Sequence, residues 1–150
     1  MSNNIQEFIR AIDNDNYLLI TILLHNIDKE EVLIEASIIG NLKAVKFIVE
    51  HRANIHAWSN LALRRASSYG HLEIVKYLVE KGANIHAQDN DALGWASING
   101  HLEIVKYLVD KGANIHAQDN YALRKASEYG RLEVVKYLES VIKERKNNNA

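Results

Sequence analysis

The chain copies itself. GHLEIVKYLVEKGANIHAQDN, residues 70–90, returns at 100–120 with Glu80 exchanged for Asp110 and nothing else altered. Gly40, Gly70, Gly100 and Gly130 fall in one register, as do Ala36, Ala66, Ala96 and Ala126, Leu42, Leu72, Leu102 and Leu132, and Val45, Val75, Val105 and Val135. A thirty-residue period repeated four times constrains the fold more than any other feature, because one such unit cannot cover its own apolar faces. The units must stack side by side into a solenoid with one continuous core.

Inside the unit, HLEIVKYLVEK places Leu72, Val75, Leu78 and Val79 on a single helical stripe. The preceding segment, ALRRASSYG, is too short to stand as an independent helix. Each unit is therefore expected to be a helix, a turn and a second helix, giving an all-α protein. The glycine between the helices suits a left-handed turn that stops the first, and Gly82 and Gly112 can stop the second in the same way. Arg52 stands at that position in the first full unit.

These residues resemble the ankyrin repeat. GHLEIVKYLVEKGANIHA is very close to that family's second half, which typically reads GHLEIVKLLLxxGADVNA, and the resemblance covers residues 31–143. It implies L-shaped repeats of two antiparallel helices with a hairpin-like finger at one edge. Two departures bear on the expectation, since the family's usual repeat has about 33 residues and opens its first helix with TPLH. Here the period is three shorter and the matching stretches read LALR, DALG and YALR, with no proline anywhere. The finger is expected to be truncated, leaving two or three extended residues per repeat. Thirty-residue repeats of this wording resemble those abundant in large DNA viruses.

A single domain over 1–150 is expected, divided into a degenerate capping pair at 1–30, repeats at 31–60, 61–90 and 91–120, a capping repeat at 121–143 and a polar tail at 144–150. At the front, AIDNDNYLLITIL aligns with ASIIGNLKAVKFI only if five residues are missing before Leu33. At the back, Glu139 replaces Val79 and Val109, where a following repeat would pack. Because solenoids need polar caps, the chain is read as a complete protein.

Composition narrows the function by exclusion. Hydrophobic residues make up 47% of the chain and charged residues 25%, ordinary for a globular protein. A formal charge of -1 gives no field that attracts nucleic acid or an anionic membrane. The absence of cysteine fits a reducing compartment, and no apolar run approaches a signal peptide or a membrane span. A cytoplasmic or nuclear protein is expected, in the host cell if viral.

His56, His86 and His116 recur in register and invite a metal, but equivalent atoms of neighbouring helix pairs lie about 10 Å apart, while zinc needs each imidazole at about 2.0–2.1 Å. A ladder of loop hydrogen bonds is expected instead, with His71 and His101 settling the turn into the second helix. No phosphate cradle and no nucleophile motif occurs. Glu73, Glu103 and Glu133 precede Lys76, Lys106 and Lys136 by three residues, the spacing of exposed helix ion pairs. No enzyme activity, cofactor, metal or small-molecule substrate is expected.

The nine residues between the copies drift, from LALRRASSY through DALGWASIN to YALRKASEY. The resemblance implies that the first helix and finger tip line a concave groove where protein partners are held. Carried over position by position, the groove comprises Ile34, Glu35, Ile38 and Ile39, then Trp58, Leu61, Arg64, Arg65, Ser68 and Tyr69. It continues with Asp91, Trp95, Ile98 and Asn99, and ends with Tyr121, Arg124, Lys125, Glu128 and Tyr129. Trp, Tyr and Arg are the residue types that most often carry interface energy. Arg64, Arg65, Arg124 and Lys125 are expected to form cationic rows on either side of Trp95. Tyr77, Tyr107 and Tyr137, with Phe47, recur unvaried and are read as packing residues. The expected function is non-catalytic binding of a protein partner by a monomer, as inhibitor or adaptor, with self-association into a dimer or scaffold as the alternative.

Overall fold

The computed structural model describes residues 3–148 and contains, among them, ten helices and no strand. They are α1 (Asn3–Asp13), α2 (Tyr17–Leu24), α3 (Lys29–Ile39), α4 (Leu42–Glu50), α5 (Ala57–Tyr69), α6 (Leu72–Glu80), α7 (Ala87–Asn99), α8 (Leu102–Asp110), α9 (Ala117–Glu128) and α10 (Leu132–Asn148). Helices α3, α5, α7 and α9 pack side by side as an inner row, and α4, α6, α8 and α10 form an outer row behind them. The all-α solenoid expected from the repeat is the fold observed.

The packing follows the repeat. Ala36, Ala66, Ala96 and Ala126 are all fully buried, their small side chains letting the inner helices approach closely. Leu33, Leu63 and Leu93 bury beside them, and Val45, Val75, Val105, Ile48, Leu78 and Leu108 close the core from the outer row. At roughly 25 cal/mol per Å² of apolar surface removed from water, this continuous core dominates the favourable side of folding. Gly40, Gly70, Gly100 and Gly130 all have φ between 67° and 85° and end the inner helices. Helix α10 continues to Asn148, so most of the expected tail is helical, and its last two residues lie outside those described.

The loop departs from expectation. No extended finger forms; each loop instead folds into a left-handed turn of three residues, Trp58–Asn60, Gln88–Asn90 and Gln118–Asn120, with φ from 47° to 66°. Left-handed backbone costs an L-residue roughly 1–2 kcal/mol, so compensating bonds are needed, and asparagine at the third position bears the conformation best. Asn60 Oδ1 accepts from His56 Nδ1 at 3.1 Å and from the Asn84 backbone N–H of the next repeat at 2.8 Å. Asn90 does the same with His86 at 3.0 Å and Asn114 at 2.8 Å. Both asparagines are buried. The histidine ladder is thus a set of His–Asn pairs, and Asn60 and Asn90 tie their repeats to the next.

His71 and His101 also join repeats. Their Nε2–H groups donate to Ile38 O at 2.8 Å and Ser68 O at 2.9 Å, carbonyls at the end of the preceding inner helix. Arg131 takes this role in the last repeat, donating from Nε to Ile98 O at 2.7 Å.

The α1–α2 pair is built differently. Phe8, Ile9 and Ile12 bury toward the stack, and Phe8 meets Phe47 edge-on at 6.1 Å. Helix α2 reads YLLITILL and buries only Ile20, leaving Tyr17, Leu18 and Ile22 between 59% and 75% exposed. The outer helices α6, α8 and α10 instead turn Glu73–Lys76, Glu103–Lys106 and Glu133–Lys136 pairs to solvent.

Candidate functional site

The drifting residues lie along the inner row, and their burial divides them into groups. Trp95 is 41% exposed, Trp58 54%, and Tyr69 and Tyr129 53% each. Arg65, Asn99, Arg124 and Glu128 are also exposed, while Leu61, Arg64, Ser68, Asp91, Tyr121 and Lys125 are half-buried. Ile98 does not belong with them. It is 8% exposed, so its side chain offers little surface to a partner, although Ser68 and Glu128 at the same position are not buried. Ile34, Glu35 and Ile38 are half-buried, whereas Ile39 is exposed.

The expected cationic rows are corrected more sharply. Arg64 donates from Nε to Ser59 O at 3.2 Å and from Nη2 to Trp58 O at 3.1 Å, clamping two carbonyls of the left-handed turn. Its Nη1 meets Asp91 Oδ2 at 2.8 Å across the repeat boundary. A planar fork with fixed donors suits that double duty. Arg124 clamps Asp119 O at 2.9 Å and Gln118 O at 3.2 Å in the same way. Lys125 donates to Glu128 at 2.6 Å, and that bond holds its pKa above the ordinary 10.5. Sequence position alone showed Arg64 and Arg124 as surface charges; the turn carbonyls that engage both, and the cross-repeat carboxylate that pairs with Arg64, exist only in the folded chain.

In the middle repeat the clamp is missing because Gly94 occupies the position of Arg64 and Arg124. A side chain there would meet the Tyr121 ring, which lies 3.1 Å from where a Cβ would stand. The same two positions thus hold Arg64 against Asp91 and Gly94 against Tyr121. Asp91 and Tyr121, read as partner-facing, each complete a contact with the preceding repeat.

What remains open to a partner is centred on a cleft between α5 and α7. Leu61, Arg64, Arg65, Ser68, Asp91 and Trp95 line it, enclosing about 200 Å³. Asn99 crosses its end, its Nδ2 donating to Ser68 Oγ at 3.3 Å and to Trp95 O at 3.1 Å. The cleft joins one large aromatic face, one ion pair turned inward, one guanidinium and one hydroxyl. No group of three or more histidine or acidic side chains able to hold a metal occurs among the described residues.

The profile of a family described as ankyrin repeats (many copies) matches residues 33–78, 63–109 and 93–139. No curated protein gives a match to the chain. The chain belongs to the ankyrin-repeat family. Ankyrin repeats generally mediate protein–protein interaction and are typically not enzymes. No helix among the described residues is long and apolar enough to cross a membrane.

Proposed function

We propose that this protein holds one protein partner along the exposed inner-row surface centred on Trp95, acting as an inhibitor or adaptor without catalysis. The observation that carries the reading is the contrast of exposure with repetition: Trp58, Tyr69, Trp95 and Tyr129 stand open at positions that vary from repeat to repeat. Large rings with few rotors bury much area at little entropic cost. A preformed surface on rigid helices adds to that advantage. Residues 1–30 and 121–143 are taken as the capping units of the stack. The cysteine-free composition supports an intracellular setting, and the thirty-residue wording supports a viral protein directed at a host factor.

The test is capture from host-cell lysate by the wild type, Trp95→Ala and Lys106→Glu, the last lying on the outer row. A partner held in the groove is lost with Trp95→Ala, whose truncation should cost ~2 kcal/mol of binding, and kept with Lys106→Glu. Capture that ignores Trp95 but fails with Lys106→Glu puts the partner on the other face.

A second reading, self-association, is supported by the exposed Tyr17, Leu18 and Ile22 on α2. Light scattering across a concentration range separates the two, since self-association requires a mass rising toward a dimer.

A further inference from the structure

Counting the engaged cations leaves one. Among the basic residues of α5, α7 and α9, Arg64 is tied to Asp91 and two carbonyls, Arg124 to two carbonyls and Lys125 to Glu128. Arg65 is exposed and has no intramolecular acceptor among the described residues. Helix α7 contributes no cation. Glu35, at the position of Arg65 one repeat earlier, lines a separate cleft with Arg10 and forms no ion pair with Arg65.

The surroundings of Arg65 are matched to an anion on a protein chain. Within the cleft, Arg64 and Asp91 neutralise each other, so Arg65 alone sets a local charge of +1. Ser68 Oγ accepts from Asn99, which leaves its hydroxyl hydrogen directed elsewhere and able to donate. Trp95 supplies a flat apolar wall that lowers the local dielectric and strengthens a charge-assisted bond.

We propose that this cleft is a subsite for a single Asp or Glu side chain of the bound protein, held by the Arg65 fork, with a large apolar side chain next to it lying on Trp95. The inference rests on the groove reading above and narrows it to one carboxylate on the Arg65 side, with none required on the Arg124 side.

The probes are two blocked peptides, acetyl-Ala-Phe-Glu-Ala-amide and its Gln counterpart, titrated into the full chain and followed by NMR at the Trp95 indole N–H and the Arg65 Nε–H. Wild type should bind the Glu peptide about tenfold more tightly than the Gln peptide, the scale of a charged hydrogen bond. Arg65→Gln should abolish that preference and Arg65→Lys should keep part of it, because lysine retains the charge without the fork. An unchanged melting temperature in both variants shows that the fold is intact. Equal affinity for the two peptides, with the Trp95 shift retained, overturns the carboxylate subsite and leaves the groove reading standing. Shifts confined to outer-row residues such as Tyr107 overturn both, and no saturable shift at millimolar peptide overturns the subsite.

Discussion

Trp95 and Tyr107 are twelve positions apart and belong to the same repeat, yet they do opposite things. Tyr107 recurs as Tyr77 and Tyr137, its ring packs against the core, and Lys111 sits 5.5 Å from the ring centre. Trp95 replaces Arg65 and Lys125, and its ring stands open to solvent. A repeat protein uses one backbone many times, so the positions that hold neighbours together must be copied with it. Positions that touch no neighbour are free to differ. Repetition within one chain thus separates positions that pack from positions left open to solvent, without reference to any other protein.

Copied positions should therefore govern stability, and the largest effect is expected at the buried asparagine of the loop. Asn90→Ala leaves His86 Nδ1–H and the Asn114 N–H without their acceptor and places alanine at φ 66°. A loss of about 3 kcal/mol follows, measured by urea denaturation. Tyr107→Ala should cost ~2–3 kcal/mol through the space its ring leaves, whereas Trp95→Ala should stay within about 0.5 kcal/mol, as for a surface substitution. If Trp95→Ala destabilises as much as Tyr107→Ala, the separation fails at its clearest pair.

Arg64 tests the separation from the other side, because it drifts and yet is structural. It varies to Gly94 while clamping its own turn and pairing with Asp91. Arg64→Ala should cost roughly 1–2 kcal/mol, set by the partly buried charged bonds it loses, and Asp91→Ala less, since Arg64 keeps its two carbonyls. A double-mutant cycle gives the coupling between them. Zero coupling would show that Asp91 only lies near Arg64.

Much of this architecture was legible in the sequence because it is periodic. Helix pairs, glycine stops, the packing tyrosines and the histidine ladder all follow from what returns every thirty residues, whereas His71 and His101, expected to settle the turn into the second helix, bond instead to the preceding repeat. Arg52, read as the poor counterpart of Gly82, does adopt φ 70° where Gly82 has 98°. What stayed hidden depends on geometry that letters do not encode. Three left-handed residues in succession have no composition signal beyond the asparagine, so a shortened finger was expected in their place. The engagement of Arg64 and Arg124 depends on carbonyls which that turn alone presents. Ile98 looked partner-facing because it varies with Ser68 and Glu128, but its side chain is buried where theirs are not. Helix α2 is apolar along most of its length, and only the fold reveals that Tyr17, Leu18 and Ile22 stand exposed.

Removing a single atom from a copied residue sharpens the comparison further. The Tyr77 and Tyr107 hydroxyls are buried without a hydrogen-bond partner, and Phe47 already fills the same position in the first repeat. The ring is therefore the packing element, and the hydroxyl is a desolvated polar group that opposes folding. Tyr107→Phe should leave stability at pH 7 unchanged or raise it by up to ~1 kcal/mol. Burial pushes the Tyr107 phenol above its ordinary 10.0, with the Glu80 carboxylate adding to the rise and Lys76 opposing it. The folded chain then holds this proton more tightly than the unfolded chain. Stability is intact below about pH 10 and falls as pH rises through the folded value. Tyr77 and Tyr137 shift in the same direction, so the single replacement should make the alkaline loss shallower without abolishing it, as urea midpoints between pH 7 and 11 would register. A loss of more than 1 kcal/mol at pH 7 would mean that the hydroxyl has a partner in solution and that the copied tyrosine is kept for its oxygen as well as its ring.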